Sequence, residues 1–98
     1  MIMQLAFLKD FDYSVNFVLA LVYFDKNDYA SCIICLKTFM TLSGIGKLQL
    51  FDVALYLLGA SYLKINDYEN ARKYLIKCIE KYNEYKNDVL YLLGLKKN

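Results

Sequence analysis

The 98-residue chain contains no histidine. No Ser/His/Asp set can therefore be built, and its Asp and Glu residues fall at helix starts and outer faces rather than converging on an apolar pocket. Catalysis is not expected, nor is a cofactor. Cysteine is scarce and odd in number: Cys32, Cys35 and Cys78 leave one thiol over from any pairing. That argues against a secreted disulfide framework and for a reducing, intracellular compartment. Positive charge is also thin, at 12 Lys+Arg against 10 Asp+Glu, with no basic block or stripe. Direct nucleic-acid binding is not favoured. No apolar run, Val53–Ala60 included, approaches the ~20 residues a bilayer needs, so membrane insertion is not expected. Met1 to Leu8 is apolar but lacks the basic leader and cleavage site of a signal peptide.

What the chain has in excess is apolar surface. Hydrophobic residues make up 58% of it, with ten tyrosines and six phenylalanines, against roughly 45–50% in ordinary domains. One small domain, 1–98, buries only about 60–65% of its extended surface. The remainder calls for a partner chain, a neighbouring repeat or a self-association face.

Periodicity reads as helices throughout. Ile2–Lys9 can form two turns, with Asp10 and Asp12 as candidate caps. Tyr13–Asp25 is apolar nearly all round, as in a helix sandwiched between neighbours. Lys26-Asn27-Asp28 is a turn into Tyr29–Met40. Residues 41–50 break the pattern, with Gly44 a left-handed helix stop. Phe51–Lys64 follows, and Asn66 with Glu69 makes a capping-box variant that opens a helix from Tyr68 to about Tyr82. Asn83–Asn87 reads as a polar link and residues 87–96 as a terminal helix, Asp88–Leu95 at its centre.

Parts of this pattern recur. Tyr23, Asn27-Asp28 and Tyr29 repeat as Tyr62, Asn66-Asp67 and Tyr68, while Tyr56-Leu57-Leu58-Gly59 returns letter for letter as Tyr91-Leu92-Leu93-Gly94. Such self-similarity marks a stacked helical array. Leu55, Leu58-Gly59, Tyr62, Tyr68, Ala71, Leu75 and Cys78 stand at the spacing of the tetratricopeptide repeat, and this stretch resembles that family. Leu19-Ala20, Tyr23, Tyr29, Cys32, Leu36 and Phe39 fill the same slots more loosely. Gly59 and Ala71 are small where two helix backbones approach; Tyr62 and Tyr68 fill the turn. No proline closes either unit, and the units lie 39 residues apart (Asn27 to Asn66).

The resemblance implies an all-α fold of antiparallel helix-turn-helix repeats (about 13–40 and 51–82) stacked as a right-handed superhelix. It also implies a protein-binding function, the partner being an amphipathic helix or peptide, or a second copy. By the family's geometry the groove is lined by Phe17, Leu21, Phe24, Tyr56, Ala60, Leu63, Tyr91 and Leu95. Members that clamp a C-terminal carboxylate use lysine and asparagine on the inner helices. The matching slots here hold Phe17, Leu21, Leu57 and Leu92, which disfavours that specificity. Within the family, the chain is similar to scaffold subunits of the anaphase-promoting complex and to fission-adaptor-type domains. An architectural subunit of a larger assembly is the alternative function.

Two weaker motifs carry no chemistry. Cys32-Ile33-Ile34-Cys35 lies inside a helix rather than at its N-terminus, where a reactive thiol would be activated. As a metal site it offers two ligands, with no histidine to complete four. Gly44-Ile45-Gly46 follows a helix instead of a strand, unlike a phosphate loop.

Overall fold

The computed structural model describes residues 15–42 and 50–97, apart from the side chains of residues 42 and 95–97. The expectations for residues 2–14 and for Gly44 lie outside that range. Among the described residues the chain is helical, without a strand: α1 (residues 15–25), α2 (Tyr29–Leu42), α3 (Phe51–Lys64), α4 (Tyr68–Lys81), a 3-10 turn (Asn83–Tyr85) and α5 (Lys86–Lys97). Two compact units divide between Gln49 and Leu50.

In the first unit α1 and α2 fold back on one another. Phe17 packs on Phe39 with ring centroids 5.0 Å apart, and Phe24 meets Tyr29 edge-on at 5.4 Å. Paired positions that converge toward the turn define an antiparallel hairpin. Ala20, Cys32, Leu36 and Phe39 form its core.

The second unit repeats this arrangement. Tyr62 stacks on Tyr74 near the turn, while the Cys78 thiol reaches the Asp52 carbonyl at the far end. Between them, Gly59 lies under Leu75: a Cβ there would come within 2.5 Å of Leu75 Cδ2 and 3.4 Å of the Ala71 carbonyl oxygen. Only glycine admits this approach. α4 is strongly amphipathic, burying Ala71, Leu75 and Cys78 and exposing Glu69, Arg72, Lys73, Lys77, Glu80 and Lys81.

The two turns are the same bond for bond. Asn27 and Asn66 take positive φ, 63° and 65°. In the first turn the Asn27 amide donates to Phe24 O and the Asp28 amide to Tyr23 O. In the second, the Asn66 amide donates to Leu63 O and the Asp67 amide to Tyr62 O. This is a Schellman ending with asparagine in the place glycine usually takes. The next residue caps the following helix: Asp28 Oδ1 accepts from the Ser31 amide and Asp67 Oδ1 from the Asn70 amide, both at 3.2 Å. The Tyr29 and Tyr68 hydroxyls then donate to Asn27 Oδ1 and Asn66 Oδ1.

Three expectations need correction. Asn66 is not the cap of α4; it supplies the left-handed step, and Asp67 supplies the cap. Tyr68 does not fill the turn but stands exposed, held by its hydroxyl. The link 83–87 is shorter than expected and ordered, since Asn83–Tyr85 is a 3-10 turn and α5 begins at Lys86.

Candidate functional site

The positions expected to line a binding face divide by exposure. Phe17, Ala60 and Leu63 are buried, and Phe17 is engaged by Phe39 inside its own hairpin. Phe24 is half-buried against Tyr29, and Tyr56 half-buried against Tyr85 at 5.5 Å. Tyr56, Ala60 and Leu63 follow one another along one face of α3 at helical spacing. Leu21 and Tyr91 are open to solvent, at 42% and 67%. The Leu95 side chain is outside the described set.

Leu21 does not stand alone. Val18, Leu19 and Val22 on α1 are also exposed, and positions 18, 21 and 22 share one side of the helix. On α5 Leu90 accompanies Tyr91. Single exposed apolar residues are ordinary, whereas contiguous ones mark interaction surfaces. Periodicity alone does not show that Val18, Val22 and Leu90 are exposed, because a helix apolar on every side does not reveal which side faces water.

A second cluster, also missed, joins α3, α4 and the 3-10 turn. The Tyr85 hydroxyl donates to Asp52 Oδ2 at 2.9 Å, and the Cys78 thiol to the Asp52 carbonyl at 3.8 Å. Burial pushes the Cys78 thiol up to about 11, helped by the charges of Asp52 and Glu84. Tyr85 is pushed up to about 12 by burial first, then by its bond to Asp52. Burial and the charge of Asp88 raise Tyr56 as well. The Cys78 thiol and the Tyr85 phenol therefore stay protonated at neutral pH and donate to Asp52. The cluster ties the connector leading into α5 onto the start of α3.

Cys32 and Cys35 are buried in α2, and burial, then the charge of Asp28, raises the Cys35 thiol. Both pack as small apolar residues. Among the described residues no group of three or more Cys, Asp or Glu side chains is placed to hold a metal ion. No described helix is long and apolar enough to cross a membrane.

The α3–α4 hairpin, with its small Gly59 and Ala71 at the crossing, is what a family comparison detects. Residues 53–83 match the tetratricopeptide repeat. The match spans nearly all of that hairpin and ends at the start of the 3-10 turn; the first hairpin, with its identical turn, lies outside it. The tetratricopeptide repeat points to a protein–protein interaction module, and its family is typically non-catalytic. No curated protein and no solved structure matches the chain.

Proposed function

We propose that the chain is a protein–protein interaction module that holds a partner helix or peptide through exposed apolar side chains. The observation that carries this is the face of α1, where Val18 (57% exposed), Leu21 and Val22 fall at i, i+3 and i+4, with Leu19 beside them. An amphipathic helix laid along such a face is read by anchors at the same spacing. The tetratricopeptide match over residues 53–83 supports the same reading. A reducing, intracellular setting belongs to the proposal, since three cysteines leave one over from any pairing.

The second reading is an architectural subunit of a larger assembly, in the manner of a ubiquitin-ligase scaffold or a fission adaptor. Apolar exposure on two helices, α1 and α5, favours it. Panning the full chain against a displayed library of helical peptides tests the primary reading. The expected result is enrichment of peptides with apolar anchors at i, i+3 and i+7, lost when Leu21→Asp and Val22→Asp are introduced. Equal enrichment on the variant, or none on the wild type, overturns it.

A further inference from the structure

The two ends of the α3–α4 hairpin are closed by different means. At the turn, the Asn66 and Asp67 amides donate to Leu63 O and Tyr62 O, and the Asp67 side chain caps α4. At the other end, where α4 leaves the hairpin and α3 enters it, closure passes through one side chain. Of residues 83–88 only Tyr85 is half-buried; the others are exposed. Its hydroxyl donates to Asp52 Oδ2 at 2.9 Å, and its ring lies 5.5 Å from that of Tyr56, one turn further along α3. Among the described residues no other side chain of 83–88 hydrogen-bonds to α3 or α4.

Beside this tie lies Cys78, fully buried, its thiol 3.8 Å from the Asp52 carbonyl. The charges of Asp52 and Glu84 act on both Cys78 and Tyr85, so the connector, the thiol and the start of α3 form one compact group. The crossing of Gly59 and Leu75 lies between α3 and α4 and does not include the connector. A segment with few buried contacts opens locally at a fraction of the cost of unfolding the packed helices beside it.

We propose that residues 83–88 form a latched flap. The Tyr85–Asp52 bond closes it, and release of that bond lifts the 3-10 turn and the first turn of α5 as one unit. Opening uncovers Tyr56 and Cys78 while α3 and α4 stay packed. The flap does not depend on what the exposed faces of α1 and α5 bind.

The buried Cys78 thiol makes the opening measurable. The full chain is reacted with iodoacetamide over a urea series below the unfolding transition, and modification of Cys78 is followed by peptide mass spectrometry. The expected rate depends on urea much less steeply than global unfolding does, because a flap exposes little new surface. Tyr85→Phe keeps the ring and removes a hydrogen bond to a carboxylate, so it should speed Cys78 labelling at least about tenfold. In an Asp52→Asn background the same substitution should add much less, because the hydroxyl then no longer meets a charge. Labelling as steep in urea as global unfolding means that Cys78 is reached only when the hairpin comes apart, and overturns the flap. A rate unchanged by Tyr85→Phe, or fully additive effects of the two substitutions, overturns the latch.

Discussion

Replacing Gly59 and Gly94 by alanine, one at a time, sets the same substitution at the same motif position against opposite surroundings. At Gly59 the new methyl collides with Leu75, which is fully buried. Overpacking of this kind costs about 1–3 kcal/mol, while alanine returns up to about 1 kcal/mol of helix propensity. The net effect is a loss of about 0–3 kcal/mol, and Gly59→Leu should lose more. At Gly94 no described atom opposes the methyl, so Gly94→Ala should gain up to about 1 kcal/mol, less whatever fraying near the end of α5 removes. Urea unfolding followed by circular dichroism at 222 nm reads both, at about 1 M of midpoint shift per kcal/mol for a small unit. Stabilisation of Gly59→Ala to the same extent as Gly94→Ala would refute the close approach of α3 and α4 on which the repeat register depends.

The turns, the connector and the thiols each carry a further prediction. Asp28→Ala and Asp67→Ala should each cost about 1 kcal/mol by uncapping α2 and α4, whereas Asn66→Gly should change the urea midpoint little, since glycine accepts the same positive φ. Tyr85→Phe removes the hydroxyl bonded to the Asp52 carboxylate and should cost about 1–2 kcal/mol, with faster amide exchange across Asn83–Tyr85. Cys78 and Tyr85 have folded values near 11 and 12, above their ordinary 9.0 and 10.0. Their contribution is complete below about pH 9 and is lost as pH rises toward 12, because the unfolded chain releases these protons first. The urea midpoint should therefore fall across that window more steeply in the wild type than in Cys78→Ala/Tyr85→Phe. Cys32→Ala with Cys35→Ser should leave peptide binding unchanged and insensitive to chelators; one equivalent of bound zinc in the wild type would overturn the packing role of these thiols.

Helices and turns were largely legible because their signals are local. Asn-Asp-Tyr after an apolar helix announces a left-handed step, a cap and a new helix within three residues. Even so, asparagine serves both caps and left-handed positions, so Asn66 was read for the role that Asp67 performs. The start of α5 is legible to within a residue or two, but the 3-10 turn before it is not. Asn83–Asn87 is polar enough to read as a loop, and what orders it is a bond from Tyr85 to Asp52, 33 residues away, which no local pattern contains. Which apolar side chains face water was the least legible. Phe17 and Leu21 are both apolar and a helical turn apart, yet one is buried on Phe39 and the other faces water. That difference arises from tertiary packing alone.

The central claim is that the exposed faces of α1 and α5, and not the hairpin interiors, do the binding. Amide hydrogen exchange of the full chain, with and without an enriched helical peptide, tests it most directly. Slowed exchange centred on residues 18–22 or 90–94, with the α3–α4 crossing at Gly59 and Leu75 unchanged, is the predicted result. Protection confined to the turns at 26–28 and 65–67, or a peptide that binds while leaving both faces unchanged, would contradict it.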